Sequence, residues 1–297
     1  MKNRFILFAF AATLSLSLFS CTKENDTDIP EDEVNKEEIK EEDSNEEDSN
    51  DTKEIEDVCT QMDDINFINF CYENYDMDKD GKVSMTEAEA VSEIALIGGD
   101  IRSLAGIEYF SNLTALKCQP NKLSSLDVSK CINLKVLECS LNELTSLNVS
   151  GCINLTTLYC SYNRLSSLDV SNCTNLENLD CCYNQLTSLD LSGCINLTLL
   201  NCHHNELTSL DASDCVKLND LDCKYNKLTS LNVTGCINLN RLYCQHNELT
   251  ILDVSSCTNL STLDCSYNPL AILYISPESP WRFISYPEDT EIQSKAV

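Results

Sequence analysis

The residues best suited to bind a metal form a twelve-residue segment, Asp76 to Glu87, with the sequence D-M-D-K-D-G-K-V-S-M-T-E. Calcium is a hard cation that takes about six to eight oxygen ligands in a flexible arrangement. Oxygen donors recur here at the spacing that one ion requires, and they come from Asp76, Asp78, Asp80, the backbone carbonyl of Lys82, Ser84 directly or through water, and both carboxylate oxygens of Glu87. We therefore expect this segment to bind Ca2+.

The calcium segment resembles the loop of an EF-hand. Gly81 stands where that loop needs a left-handed backbone, and the flanking residues 65–70 and 86–90 can form helices. The resemblance implies a calcium site, whereas the alternative is an acidic turn without an ion. EF-hands that act as sensors normally work in pairs and this sequence has one loop, so we expect calcium to be a structural staple rather than a switch.

Catalytic chemistry is not expected from this sequence. The three histidines are His203, His204 and His246, and no Ser-His-Asp arrangement, paired carboxylate or phosphate-binding glycine loop accompanies them. His204 and His246 occupy a position that tyrosine fills in neighbouring repeats, so they are predicted to lie in one surface row, too far apart to share a metal. A regular stack of repeats also offers no deep cleft. We predict that the protein is not an enzyme.

Most of the chain is a repeat with a strict period of 21 residues. Eight copies follow the pattern Leu-x-x-Leu-x-Cys-x-x-Asn-x-Leu without insertion or deletion. The second leucine of the pattern is residue 116, 137, 158, 179, 200, 221, 242 or 263, the cysteine follows two residues later, and the asparagine lies three residues beyond the cysteine. This pattern resembles the leucine-rich repeat, with cysteine in the third apolar position.

The alternation within each repeat predicts a parallel β-solenoid. In Leu-x-Cys the apolar side chains point inward from a short strand while the x position faces solvent. Stacked repeats then form one parallel sheet, and each asparagine bonds the backbone groups that the following turn leaves free. The predicted fold class is mainly β: a leucine-rich-repeat solenoid with parallel strands and little helix, preceded by a short helical EF-hand segment.

The second half of each repeat carries a related pattern, Leu-x-x-Leu-x-Val-x-x-Cys, which first occurs at Leu123, Leu126, Val128 and Cys131. Nested 21-residue repeats of this kind resemble the bacterial IRREKO class of leucine-rich repeats. The resemblance implies a second strand, or at least extended structure, on the convex side of the solenoid.

Both ends of the solenoid need caps, because an end coil would expose its core. Residues 104–110 resemble the degenerate first repeat that opens internalin-type domains, although internalin repeats are 22 residues long. At the other end, Trp281, Phe283 and Tyr286 are expected to cover the last coil. The alternative for Trp281 is that it stacks on a ligand.

The 19 cysteines would ordinarily suggest a disulfide scaffold in an exported chain. Eight of them instead occupy the strand position and seven end the second-half pattern, so fifteen recur at 21 residues without zinc-like Cys-x-x-Cys pairs. We predict that both rows are buried packing residues. The other four are Cys21, Cys59, Cys71 and Cys182. Cys59 and Cys71 either form a bridge or stay reduced, and Cys182, at an outward position, is expected to be accessible.

The outward residues of the first-half strand vary from repeat to repeat, whereas those of the second half stay close to Ser-x-Asp or Ser-x-Asn. Variation on one face of a regular solenoid indicates a ligand surface, the alternative being neutral drift. Aromatic and arginine side chains dominate binding energy at interfaces, so the candidate ligand-binding residues are Tyr159, Tyr162, Tyr183, Tyr225, Arg241 and Tyr243. We favour a protein partner, such as a host extracellular protein bound in adhesion. The alternatives are a glycan ligand and a structural spacer without a ligand.

The first 21 residues resemble a bacterial lipoprotein signal. Lys2 and Arg4 precede an apolar run over residues 5–18, which is too short to span a bilayer, and Ser20 precedes Cys21, the expected lipidation site. The charged residues that follow resemble sorting signals of Gram-negative lipoproteins. The resemblance implies a lipid anchor in the outer membrane with the protein exposed at the surface, the alternative being an ordinary cleavable signal.

Residues 22–58 carry 18 acidic and four basic side chains, which supply −14 of the chain's net charge of −28. They include no aromatic residue, so we expect a disordered, self-repelling tether rather than a solvated helix. The acidity disfavours nucleic acid and anionic membrane surfaces as partners. The predicted organisation is a signal peptide at 1–21, an acidic tether at 22–58, an EF-hand-like calcium segment at 59–100, a leucine-rich-repeat domain with its N-terminal cap at 101–276, and a C-terminal cap or tail at 277–297.

Overall fold

The computed structural model describes residues 56–295, which form a parallel β-solenoid preceded by a short helical segment. The predicted signal peptide, Cys21 and most of the predicted acidic tether lie outside the described residues. The helices are α1 (Ile65–Tyr75) and α2 (Met85–Ala90), and single 3-10 turns occupy Val58–Gln61 and Ile107–Tyr109. The strands in chain order are β1 (Glu93–Ala95), β2 (Ala115–Lys117), β3 (Ser125–Asp127), β4 (Val136–Glu138), β5 (Ser146–Asn148), β6 (Thr157–Tyr159), β7 (Asn178–Asp180), β8 (Leu199–Asn201), β9 (Ser209–Asp211), β10 (Asp220–Asp222), β11 (Ser230–Asn232), β12 (Arg241–Tyr243), β13 (Ile251–Asp253), β14 (Thr262–Asp264), β15 (Ile272–Ile275), β16 (Phe283–Ser285) and β17 (Glu291–Ser294).

Ten strands form the main sheet, in the order β1-β2-β4-β6-β7-β8-β10-β12-β14-β16, and every pair is parallel. Within the regular repeats the register pairs each residue with the one 21 positions along the chain, as for Leu116 and Leu137. The central leucine of each strand is buried and its two neighbours are more exposed. The predicted fold class, a mainly β solenoid with little helix, is confirmed.

The second half of the repeats forms three smaller parallel sheets, β3-β5, β9-β11 and β13-β15-β17. In the two coils between β5 and β9 the equivalent residues 167–169 and 188–190 lie outside regular strands, yet Leu168 and Leu189 are still buried. The turn that follows explains why this half varies so little. Asp127 accepts a hydrogen bond from the backbone N–H of Ser129 (2.9 Å), and the same bond recurs in the later coils.

A ladder of eight asparagines closes the turns after the main-sheet strands from β2 to β14, as predicted. Asn142 donates from Nδ2 to the carbonyls of Cys118 (3.0 Å) and Cys139 (3.1 Å), and its Oδ1 accepts the N–H of Leu123 (3.0 Å). Each side chain therefore joins two coils and satisfies backbone groups that are buried away from water. Equivalent bonds form at residues 163, 184, 205, 226, 247 and 268.

Both predicted cysteine rows are buried, and every cysteine in residues 56–295 is a free thiol. Burial raises the pKa of Cys118 to about 12 and that of Cys131 to about 11, so these thiols stay protonated and unreactive. Cys59 and Cys71 are buried beside each other, and a hydrogen bond with Cys59 together with burial raises the pKa of Cys71. The cysteine rows thus act as small apolar packing residues.

The expectation that Cys182 is accessible is wrong, because its side chain is only 3% exposed. Strand alternation does turn it away from the leucine core, but its row neighbours in adjacent coils are Ser161, itself buried, and the larger His203. At a spacing of about 4.8 Å between strands, the imidazole of His203 is large enough to cover the small Cys182 side chain. Burial and the nearby Asp180 carboxylate raise the pKa of the Cys182 thiol, so it is shielded as well as protonated.

The helical segment packs on the N-terminal end of the solenoid. Phe67 and Tyr75 of α1 lie 6.4 Å and 5.6 Å, between ring centroids, from Phe110. The main sheet begins at β1, so its first strand lies before residue 101, where the sequence placed the start of the repeat domain. The predicted degenerate first repeat over residues 104–110 therefore completes a coil that starts with β1, and the predicted calcium segment leads directly into that coil.

The C-terminal end continues both kinds of sheet instead of forming a detached tail. Strand β16 pairs with β14 and β17 pairs with β15. Trp281 and Ile284 pack against the core, which agrees with a capping role for Trp281. Phe283 and Tyr286, also expected to cover the last coil, are instead 49% and 37% exposed, because Phe283 takes an outward strand position in this additional coil.

None of the helices in residues 56–295 has both the length and the hydrophobicity needed to cross a membrane.

Candidate functional site

The predicted calcium ligands converge in the loop between α1 and α2. One ligand atom from each of Asp76, Asp78 and Asp80 lies within 4.8 Å of the others. Gly81 has φ +86°, in the left-handed region where glycine is strongly favoured. Glu87 folds its carboxylate back into the loop, where Oε1 accepts the N–H of Met77 at 2.6 Å. The loop is thus closed from its first turn to its last by side-chain to backbone hydrogen bonds.

The donor set of this loop fits a calcium ion. Three carboxylates that converge repel one another unless a cation lies between them, and the Oδ1 atom of Asp76 is buried without a hydrogen-bond partner in residues 56–295. Backbone hydrogen bonds, chiefly from Ser84, lower the pKa of Glu87, so its carboxylate is ionised at neutral pH. Oxygen donors of this charge and flexibility are those that calcium prefers.

Two carboxylates connect the predicted calcium loop and its leading helix α1 to neighbouring segments. The N–H of Val58 donates to the carbonyl of Val83 (2.9 Å), and the N–H of Val83 donates to Asp57 (3.2 Å), so a neighbouring segment satisfies the middle of the loop. Asp64 caps α1 and also accepts the N–H of Arg102 at 2.6 Å, inside the first coil. Hydrogen bonds between residues far apart in the sequence therefore connect the loop to Asp57 and its leading helix to the first coil, and the sequence did not reveal them.

The outward residues of the main sheet form the second candidate site, which we call the front face. It consists of the first and third residues of each main-sheet strand. Across five adjacent strands from β6 to β12 these residues line a shallow depression of about 340 Å3. Tyr159 stands at one edge, Tyr243 and Arg241 at the other, and Leu199 and Asn201 lie between them. The structure thus brings together three of the six predicted ligand residues.

The depression is acidic, and both its one lining cation, Arg241, and the adjacent Lys224 are already paired. Arg241 Nε donates to Asp220, and Lys224 Nζ lies 2.5 Å from Asp222 Oδ2. Asp180 also lines the depression, and within residues 56–295 it forms no ion pair with a lysine or arginine. The side chains there accept hydrogen bonds and attract positive charge.

The other three predicted ligand residues, Tyr162, Tyr183 and Tyr225, lie elsewhere, in a row that we call the aromatic stack. It comprises six rings in successive coils at positive φ, with centroids 4.2–4.4 Å apart, formed by Tyr162, Tyr183, His204, Tyr225, His246 and Tyr267. The inner rings have both faces covered by their neighbours, so they offer edges and hydroxyl groups to a partner. Sequence analysis identified the row but not the stacking.

His203 lies beside this row and is in direct contact with His204, a member of it. The Nδ1 atoms of His203 and His204 lie 2.8 Å apart, so one ring must present a lone pair to the other's N–H. Burial lowers the pKa of both rings. His204 is stacked between Tyr183 and Tyr225, and its ring centroid lies 4.3 Å and 4.4 Å from theirs. His204 and His246 lie in one row two coils apart, as predicted.

A second asparagine ladder was missed by the sequence analysis. Asn154 Nδ2 donates to the carbonyl of Ile132 (3.1 Å), and Asn175 and Asn196 make the same bond to the preceding coil. The signal was present, because an asparagine precedes the first leucine of nearly every repeat. In the coil where lysine takes its place, Lys217 donates to Asn196 instead (2.7 Å). These asparagines are scaffold residues, so the repeated Asn-x-Ser/Thr sequences have a structural cause.

Comparison with known proteins supports this architecture. A family profile described as leucine-rich repeats, two copies, matches residues 153–193. The functional domain of InlJ from Listeria monocytogenes, whose structure is described as including a cysteine ladder, is 34% identical with a TM-score of 0.67. The match covers 76% of this chain and 53% of that one, so the chain spans about half of the InlJ domain. This is an internalin-like leucine-rich-repeat fold.

More distant solved structures share the fold alone. Internalin C2 from Listeria monocytogenes is 20% identical with a TM-score of 0.52, and the match covers 80% of this chain and 96% of that one. The leucine-rich-repeat ectodomain of a plant membrane receptor kinase from Arabidopsis thaliana, solved in complex with Casparian strip integrity factor 2, is 22% identical with a TM-score of 0.53. That match covers 66% of this chain and 26% of the receptor. The comparison with curated proteins gave no match.

Proposed function

We propose that this protein is an exported, lipid-anchored binding module, without catalytic activity, that captures protein partners through its front face. The observation that carries the proposal is the contrast between two faces of the same coils. In the second half of the coils, the outward positions are nearly always serine followed by aspartate or asparagine. The aspartate or asparagine is required because it accepts a backbone hydrogen bond in the turn. The front face instead places Thr157, Asn178, Leu199, Asp220 and Arg241 at one register position. Side-chain diversity on a fixed sheet suits a recognition surface.

The front face can be tested by capture experiments with immobilised full-length chain. Replacing Tyr159 and Tyr243 by alanine removes two aromatic anchors, and we expect at least a tenfold loss of captured extracellular protein, because such anchors contribute about 2 kcal/mol or more each. The matched control replaces Asp169 and Asp190 by asparagine, which already occupies that position at 148 and 232. Equal capture by both variants and the parent chain would favour a ligand-free spacer.

Glycan binding is the alternative ligand class, and the same variants address it. Sugars bind proteins by stacking on exposed aromatic faces, whereas the inner rings of the aromatic stack cover one another. If the parent chain binds a polysaccharide on an array and the variant with Tyr159 and Tyr243 replaced by alanine does not, the ligand is a glycan rather than a protein.

Calcium is proposed as a structural staple of the end coil. An ion bound to Asp76, Asp78, Asp80, Ser84, Glu87 and the Lys82 carbonyl would hold the loop. The middle of the loop donates to Asp57, and Asp64 connects α1, which leads into the loop, to the first coil. Calcium at 100 times its Kd adds about 2.7 kcal/mol to the stability of whatever unit binds it. We expect calcium to raise the midpoint temperature of the first thermal unfolding transition in the parent chain, but not in a variant that carries both Asp76→Asn and Asp80→Asn. An unchanged transition in the parent chain would remove calcium from the proposal.

The anchor is proposed to be a lipid on Cys21 in the outer membrane of a Gram-negative bacterium, with the repeats at the cell surface. Metabolic labelling with a fatty-acid analogue should mark the parent chain and not a Cys21→Ala variant. Protease added to intact cells should degrade the repeats if they face outward. If the Cys21→Ala variant is still labelled, Cys21 is not the lipidation site and the proposed anchor is wrong.

A further inference from the structure

We propose that the depression on the front face binds a basic segment of the partner protein, with an arginine or lysine side chain between Tyr159 and Tyr243. The inference rests on the proposed function and names the chemistry of its partner. Three observations in one depression carry it. The Asp180 carboxylate has no ion pair within residues 56–295, the Asn201 Oδ1 atom is a buried acceptor without a hydrogen-bond partner there, and a tyrosine stands at each edge of the depression.

Asp180 supplies the charge. Its Oδ1 atom accepts the N–H of Cys182 at 3.2 Å, and no cation of residues 56–295 forms an ion pair with it. Asp220 and Asp222 are occupied by Arg241 and Lys224. The three carboxylates of the depression repel an acidic ligand, whereas a basic ligand adds a partner for Asp180 and leaves both pairs in place. Charge complementarity therefore selects a cationic ligand.

Asn201 supplies an acceptor at the floor of the depression. Its Oδ1 atom is buried without a hydrogen-bond partner, and its register neighbours, Asp180 and Asp222, also accept rather than donate. A buried acceptor left unpaired carries a free-energy penalty that a ligand donor removes. Guanidinium and ammonium groups are donors only, so they match the oxygen acceptors of Asp180 and Asn201.

The walls match the rest of a basic side chain. Tyr159 and Tyr243 are four strand spacings apart, or about 19 Å, and Leu199 lies between them. Tyrosine faces attract cations, and Tyr243 already has Lys224 Nζ 6.0 Å from its ring centroid. The aliphatic stem of an arginine or lysine can cover Leu199 while its charged end reaches the acceptors. An extended segment of seven residues spans about 23 Å, enough to cross the depression.

The long-range field favours the same ligand. The chain carries a net charge of −28, and such a charge speeds the encounter with basic partners at low salt. This effect is shared by the whole surface, so a test must separate it from recognition in the depression. Single-charge changes on opposite faces of one coil achieve that separation.

The probe is a seven-residue peptide in which arginine alternates with glycine, compared with the same peptide containing neutral citrulline in place of arginine. Binding to the full-length chain is measured by calorimetry at two salt concentrations. We expect the citrulline peptide to bind at least tenfold more weakly. Asp180→Asn should weaken binding of the arginine peptide about tenfold, the value of one charge-assisted hydrogen bond. Asp190→Asn, which removes one charge from the opposite face of that coil, should change it less than twofold.

A second pair of variants separates recognition from folding. Tyr159→Phe keeps the aromatic face and should retain binding of the arginine peptide, whereas Tyr159→Ala should weaken it. Equal binding of the two peptides, or equal losses in Asp180→Asn and Asp190→Asn, would overturn the inference. If capture still depends on Tyr159 and Tyr243 while these peptides show no preference, only the basic ligand is refuted. If capture is also independent of them, the proposed function fails as well.

Discussion

Replacing Asn184 by alanine tests the principle that holds the coils together. Asn184 Nδ2 donates to the carbonyls of Cys160 (3.0 Å), Cys181 (3.1 Å) and Cys182 (3.3 Å), and Oδ1 accepts the N–H of Leu165 (2.9 Å). Each carbonyl that accepts a hydrogen bond from Asn184 also accepts one from another residue of the stacked coils. Without Asn184, Asn163 still bonds Cys160, Asn205 still bonds Cys181, and the N–H of Tyr162 still bonds Cys182.

The main loss is therefore the hydrogen bond from the N–H of Leu165, because Leu165 is fully buried and water cannot replace the acceptor. An orphaned buried donor costs about 1–3 kcal/mol, and the lost share of three donor bonds adds about 1 kcal/mol more. We expect Asn184→Ala to destabilise the protein by about 2–4 kcal/mol, which lowers the Tm by about 5–15 °C for a domain of this size. The measurement is urea and thermal unfolding followed by circular dichroism.

Two variants make the test sharp. Asn175→Ala removes one bond from an exposed asparagine of the second ladder, where water can replace it, and should cost less than about 1 kcal/mol. Asn184→Asp keeps an acceptor for Leu165 but turns a carboxylate toward three carbonyls, so it should destabilise at least as much as Asn184→Ala. The reasoning is refuted if Asn184→Ala and Asn175→Ala cost the same, or if Asn184→Asp is tolerated.

Three further predictions concern the thiols and the aromatic stack. Cys202→Ser should cost about 1–3 kcal/mol in urea unfolding, because Cys202 is fully buried and its sulfur makes no hydrogen bond within residues 56–295 that a hydroxyl could inherit. Cys236→Ser should cost less than about 1 kcal/mol, because the carbonyl of Ala212, 3.2 Å from the sulfur, accepts the hydroxyl. Cys182 should resist alkylation until the protein unfolds, and rapid labelling of the native chain would contradict its burial. Burial lowers the folded pKa of His204 below the unfolded value of about 6.5, so the stability it confers is present above pH 6.5 and is lost as the pH falls through the folded pKa. The Tm of a His204→Phe variant, which keeps a stacked ring, should fall less between pH 7.5 and 5 than that of the parent chain.

The repeat determined most of the fold because its register leaves no choice. A slip of one residue would turn Leu137 and its equivalents to solvent, so the 21-residue period fixes both the pairing and the buried face. The convex half is predicted less completely, because residues 167–169 and 188–190 bury their leucines without forming regular strands. Asn142 and its equivalents follow from the need to satisfy the turn.

What sequence could not predict depends on contacts between neighbouring rows. Strand alternation assigned Cys182 to the outside, but its exposure is decided by the side chains of the adjacent coils. The row of tyrosines and histidines was visible, whereas their stacking requires both positive φ and a coil spacing close to the contact distance of two rings. The bond of Asp64 to Arg102 joins residues 38 positions apart, and no local pattern announces it.

The two faces of each coil differ in what a substitution costs, and this difference explains how such a surface can acquire a ligand. At position 127 and its equivalents only aspartate or asparagine occurs up to residue 253, because the side chain must accept an N–H two residues on. At position 199 and its equivalents the strand bonds are made by the backbone, so leucine, aspartate and arginine all fit. Stability is thus carried by the ladders and the leucines, while the front face is free to change its chemistry. A depression with a free carboxylate can therefore arise by a few substitutions in adjacent coils without a change of fold.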